Sequence, residues 1–569
     1  MGRHPGTRKR IIVVGGVAGG MSAAARARRL DEHAEIVVFE RGQHVSFANC
    51  GLPYYVGGEI DDASSLLLQT PESLKAALDL DVRTGHQVTA VDTDARTVTV
   101  HNGHESETVA YDALVLAPGA IAVRPPIPGV DSPRVRTLRT VEDALALREL
   151  VDEGVRRAVV LGAGFIGLEA AEALARQGVR ASLVELTDHV LPPIEPELAS
   201  LIHSELARLG VIVHTGSGAR EILPGTEHDT IVLADGTRIP ADLIVLSVGV
   251  RPDTAFVERA GIACERGAIT VDEHGRTSAP GVWAVGDAVL STDAVTGTHR
   301  PVPLAGPANR AGRLVADDIL RPRSARRLPA AAGTAIVRIG ELTAAMTGAN
   351  RAALTAAGVG FRTVHLHPNH HAGYFPGAHP IHLLVHFRGD DGLLLGAQAV
   401  GVDGVDKRID VLATALSARM RIQDLIDLDL AYSPPYGQAK DPINLAGMVG
   451  ANVLDATLAL WYAEDLDKIL DTALVLDTRS QAEYATGHIP GSLNVPHTQL
   501  RHRLDEVRAA AAGRPVRVLC ATGLRSAIAH RVLVQSGFDS ASLSGGMLTL
   551  RATLGDRAVD VLRTESSEE

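Results

Sequence analysis

Three cysteines occur in the 569-residue chain, and two of them sit where a thiol could react. Cys50 lies in Ser46-Phe47-Ala48-Asn49-Cys50-Gly51-Leu52-Pro53-Tyr54, after a strand-like run ending at Glu40 and before a Gly-Leu-Pro turn, where a helix N-terminus favours thiolate. No second cysteine accompanies it, Val45 and Tyr55 standing five residues to either side. A lone thiol stores two electrons in one of two ways. A sulfenic acid suits peroxide or oxygen reduction, and a mixed disulfide with a small thiol suits disulfide or persulfide reduction. Cys520 ends the run Val516-Arg517-Val518-Leu519 and opens the loop Ala521-Thr522-Gly523-Leu524-Arg525, with a helix read from Ser526. Loop N–H groups converging on the sulfur, together with the helix dipole, stabilise a thiolate and a bound persulfide, and Arg525 adds positive charge. A phosphatase loop needs C-x5-R, whereas the spacing here is C-x4-R, so sulfane sulfur fits better than phosphate. Cys264, in Ala260-Gly261-Ile262-Ala263-Cys264, has no such setting and reads as structural.

Two glycine clusters could cradle pyrophosphates. Gly15-Gly16-Val17-Ala18-Gly19-Gly20 joins a strand to a helix, and Glu40 ends the next strand, placed to accept from a ribose hydroxyl. Val17 replaces the middle glycine of the G-x-G-x-x-G fingerprint. The second cluster, Gly162-Ala163-Gly164-Phe165-Ile166-Gly167, matches it fully, and Glu185 stands where an acid binds the 2′-hydroxyl of NAD. No arginine follows in Leu186-Thr187-Asp188-His189, so NADH is favoured over NADPH. Asp287, after Trp283-Ala284-Val285-Gly286, is placed to bond a ribityl chain. Ala117-Pro118-Gly119 and Gly249-Val250-Arg251-Pro252 mark two crossings between domains.

The elements that must position these residues follow a repeated grammar. Strand and helix runs alternate over Ile11–Val14, Ser22–Leu30, Ile36–Phe39 and Tyr111–Ala117, as in a doubly wound parallel sheet. The pattern recurs over Ala158–Leu161, Gly167–Gln177, Ala181–Val184 and Leu243–Gly249, and Gly281–Arg313 reads as a return to the first sheet, so the second domain is inserted in it. From Thr334 antiparallel strands (Ala335–Arg338, His382–Phe387, Leu394–Val400) and a helix (Val405–Leu416) predict an α+β domain. A helical stretch over Met448–Lys468 connects it to a last α/β unit starting at Leu474–Asp477, and the acidic tail Thr564–Glu569 reads as disordered.

Taken in order, these markers resemble the two-dinucleotide flavoprotein disulfide reductases over residues 8 to 450, and the Cys50 motif resembles their single-cysteine branch of coenzyme A-disulfide reductases, NADH peroxidases and NADH oxidases. The resemblance implies FAD on the first cluster and NADH, with NADPH possible, on the second. The implied cofactor contacts are Gly15, Ala18, Gly19, Gly20, Glu40, Arg41, Ala117, Gly119, Gly286, Asp287, Pro303 and Ala305 for the first, and Gly162, Gly164, Ile166, Gly167, Glu185 and Gly249 for the second. Ala18 stands where the peroxidases and oxidases carry a histidine, which turns the reading towards disulfide chemistry. Ala372-Gly373-Tyr374-Phe375-Pro376-Gly377 and Tyr432-Ser433-Pro434-Pro435-Tyr436-Gly437 resemble runs of coenzyme A-disulfide reductases, in which the tyrosines, here Tyr374 and Tyr432, reach the cysteine across a homodimer interface and protonate the leaving thiolate. Gly401–Asp410 resembles part of the dimerisation domain. Coenzyme A, as substrate or bound thiol, would be contacted by Ser22, Arg26, Arg29, Ser46, Asn49 and, from the partner, Lys440, although Leu78 stands where the family has a lysine and Lys75 is the nearest cation. The last unit resembles a rhodanese domain, through Leu474–Arg479, Gly487–Asn494 and Val516–Ser526.

The implied organisation is an FAD-binding domain in two parts, 8–120 and 253–330, an inserted NAD-binding domain, 121–252, a dimerisation domain, 331–452, a linker, 453–465, and a rhodanese domain, 466–563. The expected activity is NAD(P)H-driven reduction of coenzyme A disulfide, coenzyme A persulfide or polysulfide coupled to sulfur transfer. The alternatives are an NADH oxidase or peroxidase cycling Cys50 through sulfenic acid, and a sulfur-trafficking or redox-sensing protein. A net charge of -12 argues against a nucleic-acid partner. No apolar run reaches membrane-spanning length, no metal is called for, and the basic start Met1–Arg10 runs into a strand without a cleavage-type segment, so the expected location is the cytoplasm.

Overall fold

The computed structural model describes residues 8–564, and both the start of the basic N-terminal run and the acidic tail beyond Thr564 lie outside them. The chain forms two compact units, one of residues through Asp188 and Leu209–Gly333, the other of His189–Arg208 and Thr334 onward.

In the first unit the apolar runs become two five-stranded parallel sheets. One has the order Val282–Ala284, Ala113–Leu116, Arg10–Val14, Glu35–Phe39, Asp81–Arg83. The other has the order Ile212–His214, Arg180–Val184, Arg157–Leu161, Leu243–Leu246, Val135–Arg136. Central strands such as Ala113–Leu116 and Leu243–Leu246 are buried throughout, as strands covered on both faces must be, which is why they read as unbroken apolar runs. The registers repeat: Val14 pairs with Phe39 in one sheet and Leu161 with Val184 in the other. Val282–Ala284 joins the first sheet after the second has been completed, which is the insertion expected. The two crossings are themselves paired, Ala120–Ala122 running antiparallel to Val250–Pro252.

The second unit holds an antiparallel sheet in the order Ala335–Ile339, Leu342–Gly348, Leu394–Gly401, Ile381–Arg388, Phe361–Leu366, packed on the helix Val405–Ser417. It also holds a parallel sheet in the order Leu460–Trp461, Ser540–Leu543, Val516–Leu519, Leu474–Asp477, Leu493–Asn494.

Three local expectations change. The helices after the glycine clusters start at Ala18 and Phe165 rather than Ser22 and Gly167, because the loop residues already belong to the first turn. The strands Leu342–Gly348 and Phe361–Leu366 were not anticipated, the former because its Thr-Ala-Ala core carries little β signal. The stretch Met448–Lys468 is not one helix: Pro442–Leu454 is helical, and Leu460–Trp461 is a strand pairing with Ser542 and Leu543, a long-range partnership that local pattern cannot show. Among the described residues no helix is long and apolar enough to cross a membrane.

Candidate active sites

The first glycine loop is shaped by backbone approach. Gly15 has φ +101°, and a Cβ there would collide with the Ala117 carbonyl, while one on Gly20 would collide with the Gly15 carbonyl. Gly19 serves packing instead: a Cβ on it would press on the Val285 side chain at 3.0 Å, next to the crossing of Ala18–Leu30 with Ala305–Leu320. Glu40 is held by the loop, accepting from the Gly16 N–H at 2.7 Å and the Gly42 N–H at 2.8 Å, and its oxygens keep lone pairs for a ribose. Beside it opens a cavity of about 180 Å³ lined by Gly15, Glu40, Arg41, His86, Asp253 and Arg259, among others, at the carboxyl ends of the parallel strands. Arg41 and Asp253 form an ion pair within this lining. Asp287 lies 3.4 Å from Arg139, a residue the sequence did not single out, and burial pushes its carboxyl up while Arg139 opposes the shift. Gly119 and Gly286 hold φ of +71° and +84°, the Ala117 N–H donates to the Val14 carbonyl, and Pro303 and Ala305 are exposed at the entry to Ala305–Leu320. Glycines packed to the backbone beside an open cavity and a carboxylate fit a dinucleotide, and the residues expected for FAD fall around this loop.

The second loop repeats the construction. Gly162 has φ +98°, a Cβ on Gly167 would strike its carbonyl, and a Cβ on Gly164 or Gly249 would meet nothing within 4 Å, leaving space where a pyrophosphate can lie. Ile166 is exposed beside it. Glu185 is buried and accepts from the Ala163 N–H at 2.8 Å and from the Thr187 N–H and hydroxyl at 2.9 and 3.0 Å. The carboxylate thus stands fixed at the strand end.

Cys50 sits in a single 3-10 turn, Asn49–Gly51, leading into the short helix Leu52–Val56. The residue is exposed, yet desolvation of its sulfur, and secondarily the Glu169 carboxylate, push the thiol above its ordinary pKa. Of the two supports expected for a thiolate here, helix N-terminus and flavin ring, the first is weak: a five-residue helix adds little dipole, and the nearby charge is negative. Glu169 lies on the helix Phe165–Arg176, beyond any local signal around residue 50. Ser46 takes a left-handed φ of 45°, its N–H bonded to the Gly16 carbonyl at 2.9 Å, so the cysteine loop is tied to the first glycine loop.

The residues expected to hold coenzyme A are unequal. Arg26 gives both Nε and a terminal nitrogen to Asp317, at 2.8 and 2.6 Å, and Ser22 donates to Asn309 at 2.8 Å. Arg29, Asn49 and Lys440 are exposed. The two arginines differ: Arg26 is paired within the fold and Arg29 is open to solvent. Lys75 pairs with Asp79, and Leu78 packs against the sheet core.

The structure brings the two tyrosines together. Tyr374 is 77% exposed and Tyr432 48%, and their hydroxyls lie 3.1 Å apart, a contact that raises the Tyr374 pKa. Beneath them Arg408, fully buried, donates to the His370 carbonyl and the Asp441 carboxylate, both at 2.8 Å, and Gln438 bonds the Asn369 carbonyl. One guanidinium thus clamps the loop of Tyr374 to the loop of Tyr432.

Cys520 is buried at the end of Val516–Leu519. Its sulfur accepts from the Gly523 N–H at 3.1 Å and faces the Ser526 hydroxyl at 3.4 Å, and Ser526 in turn accepts from Ser542 at 2.9 Å. The helix begins at Leu524, not Ser526. Arg525 makes a two-pronged pair with Glu483 at 2.8 and 2.6 Å, which holds that carboxyl down to about 2, so its charge is shared rather than given to the sulfur alone. Cys264 is half-buried against an apolar cluster, with burial raising its thiol pKa.

With this geometry established, comparison with known proteins gives concordant results. Residues 9–312 match the family model described as pyridine nucleotide-disulphide oxidoreductase, and residues 462–552 match the rhodanese-like domain. The chain is 34% identical over 443 residues to a coenzyme A disulfide reductase of Staphylococcus haemolyticus, covering 77% of this chain and 98% of the relative. It is similar to the crystal structure of reduced Bacillus anthracis CoADR-RHD, with a TM-score of 0.94, 38% identity, and coverage of 97% and 99% of the two chains. It also resembles an NAD-dependent persulfide reductase from A. fulgidus, with a TM-score of 0.89, 37% identity, and coverage of 95% and 99%.

Proposed function

Since the chain belongs to the pyridine nucleotide-disulphide oxidoreductase family and carries a rhodanese-like domain, we propose that it is an NADH-dependent reductase of persulfides and disulfides of a small thiol, coenzyme A foremost, working as a homodimer with Cys520 as a sulfane-sulfur carrier. The observation that carries this reading is Cys50: an exposed thiol that, among the described residues, forms no disulfide. Bound FAD supplies a two-electron relay between nicotinamide and this sulfur. With a persulfide R–S–S–H, the Cys50 thiolate attacks the carbon-bound sulfur, the S–S bond breaks, HS⁻ leaves, and a mixed disulfide with R–S remains. Hydride equivalents from NADH then return Cys50 to thiolate and release R–SH, so that R–S–S–H and NADH give R–SH, HS⁻ and NAD⁺. The hydroxyls of Tyr374 and Tyr432, joined and exposed, are proton donors suited to a leaving thiolate on a second copy of the chain. Exposed Arg29 and Lys440 offer cations to the substrate's phosphates.

The test is NADH consumption by the flavin-loaded protein with coenzyme A persulfide, coenzyme A disulfide, polysulfide, peroxide and oxygen in parallel. Sulfur acceptors should be faster, Cys50→Ser should abolish turnover, and mass spectrometry of the purified protein should find a thiol adduct on Cys50. Faster turnover with peroxide or oxygen, with a sulfenic acid on Cys50, would replace this reading by an oxidase. Slow turnover with every acceptor, beside rapid persulfide transfer from Cys520 to a protein, would mark a sulfur-trafficking role.

A further inference from the structure

The loop that holds Cys520 is closed by a turn whose anchor lies outside the rhodanese-like domain. Met547 donates its N–H to the Cys520 carbonyl at 2.8 Å and Leu548 to that of Ala521 at 3.1 Å. Both N–H groups follow Ser544-Gly545-Gly546, in which the glycines take φ of +70° and +64°. A Cβ on Gly546 would press on the Cys520 carbonyl oxygen at 2.5 Å, so backbone meets backbone there. The conformation of this turn therefore sets the carbonyls that flank the reactive sulfur.

Ser544 is buried, and its hydroxyl lies 2.8 Å from Nδ1 of His365 while accepting the His365 N–H at 3.2 Å. His365 belongs to the strand Phe361–Leu366 of the antiparallel sheet. Its Nε2 lies 2.9 Å from Oε1 of Glu197, on the helix Pro196–Arg208, and that carboxylate also takes an Arg351 nitrogen at 2.7 Å. Glu197 is driven down to about 2 despite burial, since His365 and Arg351 both favour its charged form. Both ring nitrogens of His365 are thus engaged, Nε2 by the Glu197 carboxylate and Nδ1 by the Ser544 hydroxyl, so the imidazole ties the carboxylate to the serine. All three residues are buried, so the arrangement has no access for a substrate of its own. Gly545 leaves no room for adjustment: a Cβ there would come within 2.8 Å of the His365 Cβ.

We propose that Glu197 and His365 are positioning residues for the sulfurtransferase site: the relay Glu197–His365–Ser544 holds the Gly545-Gly546 turn, and through it the Cys520 loop, from outside the rhodanese-like domain. The proposal rests on the reading of Cys520 as a sulfur carrier. Among the described residues nothing in the relay lies in the glycine loops or the Cys50 turn, so its disruption should separate the two activities.

The experiment uses full-length, flavin-loaded protein with Ser544→Ala, His365→Phe and Glu197→Gln, and with His365→Asn, whose amide can still meet Ser544. Two quantities are read: sulfur transfer from thiosulfate to cyanide, and the rate at which iodoacetamide modifies Cys520 at fixed pH, followed by peptide mass spectrometry. Ser544→Ala and His365→Phe should lower the transfer kcat roughly ten- to hundred-fold, as misplacement of a reacting group does, and change the Cys520 modification rate. His365→Asn should recover part of both, and NADH-driven disulfide reduction should stay within about two-fold of the parent, since additivity holds for independent sites. Unchanged transfer and modification in Ser544→Ala, which removes only one hydroxyl, would overturn the proposal, as would equal losses in transfer and NADH turnover. If the parent protein moves no sulfur from thiosulfate, the carrier reading fails by itself, and the Cys520 modification rate still decides whether the relay positions the thiol.

Discussion

Cys50 shows how far a reactive residue is defined by its neighbours. Its sequence context resembles that of a redox thiol, and Val45 and Tyr55, five residues to either side, offer it no second sulfur. The same context suggests a thiolate favoured by helix and flavin, and the polypeptide by itself works the other way, with desolvation first and Glu169 second favouring the thiol. Both causes disfavour charge on sulfur, so a folded Cys50 deprotonates at higher pH than a free thiol, and removing the Glu169 charge must move the midpoint downwards. In Glu169→Gln the pH midpoint for iodoacetamide modification of Cys50 should fall, while desolvation, the larger cause, still holds it above that of a free thiol. A midpoint that rises or stays fixed would show that Glu169 exerts no field at the sulfur. Glu169 lies in a helix far along the chain, and no pattern near residue 50 announces it.

At the scale of elements, the two strand-turn-helix units were legible in the sequence because everything that makes them is local: apolar strands, glycines where backbone meets backbone, and an acid ending the next strand. The clamp under the tyrosines was not. Arg408 stands in a recognisable run, but only the fold brings the His370 carbonyl and the Asp441 carboxylate to one guanidinium. A buried ion pair of this kind is costly to break, about 3–5 kcal/mol when one partner is lost, which suits it to fixing two loops in register. The glycine loops allow a sharper test, since the same collision with a carbonyl awaits a methyl at Gly20 and at Gly167. Gly20→Ala should purify with a low flavin-to-protein ratio. Gly167→Ala should keep its flavin, with the KM for NADH raised roughly ten-fold or more, because the third glycine of such a loop sets the close helix–strand packing beneath the pyrophosphate. Loss of flavin from both variants alike would mean that the two loops are not assigned to separate dinucleotides.

At the scale of the molecule, the chain joins two sulfur chemistries, and one surface feature bears on the dimer proposed above. Tyr374, Phe375, Tyr432 and Tyr436 are all exposed on neighbouring loops, an aromatic patch of the kind that interfaces cover. In a two-fold dimer each chain can lend its tyrosine pair to the other, and this yields a test that separates lending from use within one chain. Cys50→Ser leaves a chain with tyrosines and no thiol, and the double variant Tyr374→Phe, Tyr432→Phe leaves a chain with a thiol and no phenols. Each should be slow alone. Mixed in equal amounts, dissociated and reassembled, about half of the dimers are hybrids, and in each hybrid one site joins an intact Cys50 to intact tyrosines from the other chain. The mixture should therefore regain about a quarter of the parent's NADH-driven disulfide reduction if the pair is lent across the interface, and none if it serves its own chain. Sedimentation of the same mixture checks that dimers have re-formed, and a monomeric parent would remove the premise.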